Sequence, residues 1–491
     1  YKNMSGLRKN FFYNAIISAS GILFPLITFP YVSRILEPEN FGLVSFANSY
    51  IQYFIVISTI GVPFYGIREI AKVKDDIVKR SKIFAEITLI HIGLTICVLV
   101  VYIISIFYLE RCKSNIDFFL CGSLLILSYP LSIHWFFTAI EDFKYVAVRT
   151  IILQVFLTVS VFIFVREKTD YFLYFGLSVL GSVIIAYLNI SHGLKYIKFN
   201  FLWKDLRFRI HIKPLLLIFL FTVATSLYEL FDVVLLGFLS TNEAVSFFTV
   251  ASRINKIPVA IIGVLSSVLI PRLSFAAGRG DKLEMIRLIE KSINFVLLFG
   301  IPAIIGIYVL SPEIVRILSG RLFESAVLTT QIFSPTTLLL GLITIFMLQI
   351  LIPLSKDREL LIIVSIATIV SLVLNLTLIP LYNENGAAWA SILTETFVLI
   401  FSYFVAKKHI EIKFNIKKIF KNIILSSFVV VFAIIFRSTF LNDLIVFIAS
   451  FLSFFVSYYV VQTHFFKDEI FTEINLFAIN KIENIYKQIF A

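Results

Sequence analysis

The sequence predicts an all-α integral membrane fold of about 14 transmembrane helices, with two six-helix lobes and two extra C-terminal helices. Three observations carry this expectation. Hydrophobic residues make up 59% of the 491 residues, charged residues only 15%, and mean hydropathy is +0.94. A soluble domain is usually about half apolar and about a quarter charged. The charges are bunched between apolar runs of about 20 residues, the length that crosses a bilayer core. Finally, Lys and Arg gather in alternate loops.

The apolar runs fall at 11–33, 41–66, 83–109, 116–139, 145–165, 171–193 and 214–239, then at 244–270, 290–311, 325–353, 359–380, 385–406, 417–436 and 440–462. Backbone groups in hydrocarbon must be satisfied within the segment, so these runs are helices. None alternates as a barrel strand would. The first run is too long for the apolar core of a signal peptide. "FPYVSRILEPENFG", residues 29–42, separates the first two runs and reads as an outer turn, with Arg34 at the end of helix 1.

With the N-terminus in the cytoplasm, 33 of the 43 Lys and Arg lie in the N-tail, the inner loops and the C-tail, and eight lie in outer loops. Both termini are therefore expected in the cytoplasm. The same bias accounts for the net charge of +12 and the pI of 9.4. No basic patch stands clear of a hydrophobic segment, so nucleic acid is not an expected partner. Cys97, Cys112 and Cys121 form no disulfide or metal pattern and read as small buried apolar residues.

A weak repeat relates "ILEPENFGLVSFANSYIQ" (35–52) to "FLSTNEAVSFFTVASRIN" (238–255). The offset spans six helices and preserves orientation, as in transporters built from two parallel repeats. The expected organisation is an N-terminal lobe at 1–209, a C-terminal lobe at 210–410, helices 13–14 at 411–463 and a cytoplasmic tail at 464–491. In the tail, Ile470, Ile474, Phe477, Ile482, Ile485 and Ile489 alternate with charges, the pattern of an interfacial amphipathic helix.

No phosphate-binding loop, zinc-protease motif or nucleophile elbow occurs, and no outer loop is long enough for a catalytic domain. The chain is expected not to be an enzyme and to need no cofactor. What remains is charge inside the membrane, which is costly and marks function. Glu229 and Asp232 share a face of helix 7, and Arg253 and Lys256 share a face of helix 8. Glu229 and Arg253 both lie roughly 15 Å from the outer ends by helical rise. They read either as an ion pair between helices or as the lining of a polar cavity. In "LSIHWFFTAIEDFKYVAVRT", His134 reads as a hydrogen-bonded histidine or a proton relay. Trp135 reads as an interface residue or a wall on which substrate stacks. Glu141, Asp142 and Lys144 read as solvated.

"FPYVSRILEPENFG", "HWFFTAIEDFKYVAVR" and "DVVLLGFLSTNEAVSFFTVASRI" resemble the bacterial polysaccharide flippases of the O-antigen type. Their superfamily also holds lipid II flippases and multidrug and toxin extrusion exporters. The resemblance covers the whole chain and implies an inverted-V pair of six-helix lobes in the cytoplasmic membrane. It implies movement of undecaprenyl-pyrophosphate-linked oligosaccharide between leaflets, beside polysaccharide polymerase and chain-length partners. A cationic cavity in this family would correspond here to Arg34, Arg253 and Lys256. Glu229 and Trp135 are further candidates for the substrate path. The lipid II flippases place a cation site on helices 7, 11 and 12, where this chain has Asp232, Asn375 and Thr394. A sodium ion or a proton is the implied coupling ion. Leu378 and Glu395 depart from that pattern.

A cation-coupled multidrug exporter is the alternative, and it would favour an acidic lumen over the interior Arg and Lys. A membrane-embedded polymerase would need a substantial outer catalytic loop.

Overall fold

The computed structural model describes residues 2–198, 205–468 and 470–472, without the side chains of 2–8, 11, 22, 217, 218, 220–230, 264, 265, 267 and 268. Among the described residues the regular structure is entirely helical. Among the described residues, eleven helical stretches are long and apolar enough to cross a membrane. The predicted all-α membrane fold is what the chain adopts.

Helix α1 (Lys2–Thr59) leads into α2 (Val62–Ala71). The apolar stretch Phe12–Ala71 has 60 residues and as one rod would reach about 90 Å, three times a bilayer core. It does not run straight, because Glu37 has φ 60°. A residue before proline is pushed out of the helical region, and Pro38 follows. The break at Glu37 falls within the predicted outer turn, and the two arms are predicted spans 1 and 2.

Next come α3 (Ile77–Tyr108), α4 (Glu110–Lys113), α5 (Ile116–Ser128) and the short α6 (His134–Ala139). They are followed by α7 (Phe143–Phe164), α8 (Tyr171–Gly193), α9 (Arg209–Leu239) and α10 (Asn242–Gly278). Side-chain caps set several starts. Asp76 accepts from the amides of Val78 and Lys79 at the head of α3, and Asp142 accepts from Tyr145 at the head of α7.

The chain continues through α11 (Lys282–Ser319), α12 (Ala326–Phe333) and α13 (Thr336–Thr344), which ends in a π-helical turn at Ile345–Leu351. Helix α14 (Asp357–Lys407) repeats the device of α1. Its 51 residues are broken at Asn383, φ 49°, a residue type that tolerates this region. A β-carbon at Gly386 would collide with the carbonyl of Leu378, so the tight return needs glycine there. The arms are predicted spans 11 and 12. Last come α15 (Ile416–Ser426), α16 (Phe428–Thr439) and α17 (Asp443–Val460). Most of the predicted amphipathic tail, from residue 473 onward, lies outside the described residues.

The chain divides into two compact units. The first holds 1–249, 318–322 and 364–387, and so takes in α9 rather than ending at 209. The aromatic edge of Phe46 on Phe238, with centroids 5.2 Å apart, seats α9 on α1. A second cluster of this unit packs Tyr65, Phe84, Trp135, Phe136 and Phe137 together. The second unit, 250–317, 323–363 and 388–491, has a core around Ile289, Ile293, Val296 and Phe346. Helices α16 and α17 join it through Leu298, Val429 and Phe454. Val101, Ile369, Ile434 and Val456 are each more than half exposed. Such continuous apolar exposure suits lipid, not water. All three cysteines are free thiols; Cys112 is buried as expected, whereas Cys97 is exposed.

Candidate functional site

In the first unit, Asp232 of α9 meets Asn375 of α14. Asn375 is fully buried, and its Nδ2 donates to Asp232 Oδ1 at 2.8 Å and to Ser371 O at 3.0 Å. The amide is thereby oriented with Nδ2 on these acceptors. Its Oδ1 is buried without a hydrogen-bond partner, an arrangement that costs stability unless something else uses it. Tyr53, edge-on to Phe231 at 6.0 Å, brings α1 to the same place. A carboxylate beside an unused amide oxygen is donor chemistry for a hard cation. Among the described residues no three His, Cys, Asp or Glu converge as ligands of a softer metal would. Thr394, expected to complete a cation site, belongs to the second unit. It is buried there and donates to Ala390 O of its own helix at 2.7 Å.

Arg253 and Lys256, in the second unit, are exposed on α10. Asn255 between them is fully buried and donates to Ala251 O at 2.9 Å and Thr330 O at 3.2 Å. At about 100° per residue the two cations share a face and Asn255 points away from it. The buried amide thus fixes the rotation of α10 that presents both positive charges. Glu229, their expected acidic neighbour, has its side chain outside the described residues. Arg34 is exposed in the first unit, as expected at a helix end. Its Cγ comes near Gly320, whose φ is 86°.

The two segments related by the sequence repeat meet within the first unit. A β-carbon at Gly42 would collide with the carbonyl of Asn242. Arg111 closes the same contact, donating from Nη2 to Asn242 Oδ1 at 2.7 Å and lying over the Phe46 ring. Burial pushes the Arg111 guanidinium pKa down, and Glu243 opposes the shift.

The stretch 134–150 differs from expectation. Trp135 is 5% exposed and stacked on Phe84 at 5.8 Å. It has no open face for substrate, because Phe84 and the backbone at Gly66 cover its ring. Asp142 is not simply solvated: besides capping α7 it accepts from Tyr196 Oη at 2.9 Å and lies 3.0 Å from His192 Nε2. Arg149 is buried on Asn189 Oδ1 at 2.7 Å. This motif clamps α7 to α8. Glu141 pairs with Lys74 at 2.9 Å on the surface, and His134 is exposed.

Sequence reasoning missed a buried relay in the first unit. Tyr65 Oη lies 2.7 Å from His211 Nδ1, whose Nε2 lies 2.8 Å from Glu86 Oε2. Glu86 also accepts from the Arg207 amide at 2.6 Å. The relay ties the start of α9 to α2 and α3. His211 lies more than 100 residues from both Tyr65 and Glu86, so no local pattern announces the relay.

Residues 7–276 match the family model described as polysaccharide biosynthesis protein. An Escherichia coli (strain K12) protein named "Putative O-antigen transporter" is 27% identical over 81% of this chain and 95% of its own length. A Rhizobium tropici protein named "Probable lipid II flippase MurJ" is 27% identical over 53% of this chain and 49% of its own. Among solved structures, a lipid II flippase MurJ in an inward closed conformation superposes with a TM-score of 0.75 at 16% identity. That match covers 94% of this chain and all of the other. An inward-facing multidrug resistance transporter of the MATE family, in the MOP superfamily, gives 0.64 at 13% identity over 79% and 93%. The solved structures show that this chain has the same fold as these two transporters. The chain belongs to the polysaccharide biosynthesis protein family.

Proposed function

We propose that this protein is a flippase for an undecaprenyl-pyrophosphate-linked oligosaccharide, the O-antigen or other surface-polysaccharide repeat unit, in a bacterial cytoplasmic membrane. The observation that carries the reading is the exposed Arg253 and Lys256 face, held by buried Asn255 in a membrane-crossing helix. Charge within a membrane span marks a functional position, and a pyrophosphate is the anion that the resemblance to polysaccharide flippases implies. Arginine takes phosphate with two parallel hydrogen bonds and lysine with a point charge. Transport proceeds by alternating access, with the polyprenyl tail left in the bilayer. The close approach of Gly42 to Asn242 supports a state in which these outer turns are shut. Both termini face the cytoplasm, as the Lys and Arg bias requires. Polymerase and chain-length proteins would consume the product outside.

Asp232 and Asn375 form the coupling site in this reading. Sodium or a proton at the carboxylate changes its charge and biases the conformational equilibrium.

Deletion of the gene, followed by extraction of lipid-linked sugars, tests the function. One undecaprenyl oligosaccharide should accumulate facing the cytoplasm, and the intact gene should clear it. No accumulation, together with hypersensitivity to cationic drugs, would instead support a multidrug exporter.

A further inference from the structure

A second set of charges in the second unit has no part in that mechanism. The segment from Lys413 to Lys421 enters α15 on the side where the Lys- and Arg-rich loops gather. Two open cavities adjoin there. One, of about 410 Å³, lies between Lys417, Lys418, Lys421 and Phe466. The other, of about 680 Å³, lies between Lys413, Lys417, Lys418 and Glu290. Lys417 and Lys418 border both. Two neighbouring lysines are already engaged. Lys421 Nζ donates to Gln462 Oε1 at 2.8 Å and approaches Asp468 at 3.4 Å. Lys413 lies 3.2 Å from Glu411. No ion pair joins Lys417 or Lys418 to another described residue. Asn415 caps α15 through the Lys418 amide at 3.2 Å, so the positive end of an 11-residue helix also points here.

The same helix carries an apolar apron. Ile416, Phe420 and Ile424 are each about 62–63% exposed, and Phe465 is 78% exposed. Helix α15 opens the membrane-crossing stretch Ile416–Thr439, so lysines in its first turn stand at headgroup level while the bare apolar residues below them enter the hydrocarbon. Basic pockets at that level between helices hold phosphate headgroups.

We propose that Lys417 and Lys418 form the headgroup site of a resident anionic phospholipid of the phosphatidylglycerol class, with its acyl chains along Ile416, Phe420 and Ile424. The apron excludes a soluble anion or nucleic acid as the natural occupant, because neither would cover it. The lipid would hold the α15 end of this span at the water boundary. The proposal concerns binding and does not depend on what is transported.

The test uses the full chain purified in neutral detergent, titrated with phosphatidylglycerol or phosphatidylcholine and followed by native mass spectrometry. The K417Q/K418Q variant should lose roughly tenfold in affinity for phosphatidylglycerol and nothing for phosphatidylcholine. K417R/K418R should bind as the parent does, and a charge-matched K72Q/K282Q variant should stay within about twofold. Unchanged binding in K417Q/K418Q, or an equal loss in K72Q/K282Q, would overturn the site. Displacement of phosphatidylglycerol by millimolar inorganic phosphate would reassign it to a free anion. Displacement by undecaprenyl pyrophosphate at lower concentration would reassign it to the transport substrate.

Discussion

Two pairs of charged residues in the second unit are handled in opposite ways. Glu313 of α11 is 3% exposed and receives Arg437 of α16 in a two-pronged contact, 2.6 Å to Oε1 and 2.7 Å to Oε2. Nearby, Arg316 grips Glu324 at 2.6 Å and reaches Asp443 of α17 at 3.4 Å. These charges are used up in fastening α16 and α17 to α11. Arg253 and Lys256, by contrast, are exposed, and it is the neutral Asn255 that fastens their helix. The first arrangement fastens helices to one another; the second is an exposed face that the proposed function gives to a ligand. Loss of the first kind should lower stability. Loss of the second should lower transport and leave the protein in place.

The largest expected effect tests the second half of that contrast. Arg253→Ala should cut surface glycan at least roughly a hundredfold, the value of two charge-assisted phosphate contacts. The protein should still accumulate in the membrane, as an immunoblot of the membrane fraction would read. Arg253→Lys should recover only part of the activity. A variant that vanishes from the membrane would move Arg253 into the fastening class with Glu313.

Asp232 sits between the two kinds, since it is bonded to Asn375 yet lies beside an unused oxygen. Asp232→Asn should remove the response of glycolipid flipping to sodium and pH gradients in proteoliposomes while the fold persists. Equal flipping by parent and variant with and without gradients would make the site structural.

Glu313→Gln should destabilise the protein by about 2 kcal/mol. The figure is below that for a fully buried pair because the Arg437 side chain is 39% exposed. A thermal-unfolding series in detergent would read it, with the transport rate per folded molecule unchanged.

The smallest effect calibrates the comparison. Lys168 lies 3.4 Å from Glu37 with side chains 61% and 40% exposed. Lys168→Ala should change stability by less than about 0.5 kcal/mol and leave glycan export intact. A larger loss would show that exposure is the wrong criterion for sorting these charges.

The sequence by itself determined the membrane class, the apolar spans and the break between the first two of them at residues 29–42. Each follows from chemistry within a short segment, the transfer of a 20-residue run into hydrocarbon and the polar residues that interrupt it. It also determined that Arg253 and Lys256 share a face, because helical geometry alone sets that spacing. Only the tertiary structure decided which interior polar groups are spent. Trp135 looked open until Phe84 covered it. Asp142 looked solvated until His192 and Tyr196, more than 45 residues away, came to it. Asn375 became a partner of Asp232 across 143 residues. The Tyr65, His211 and Glu86 relay left no trace in any local stretch. Hydropathy is a property of a segment and can be summed along it. Hydrogen bonding of a buried group depends on which distant atom lies within about 3 Å, and that distance does not exist until the chain has folded.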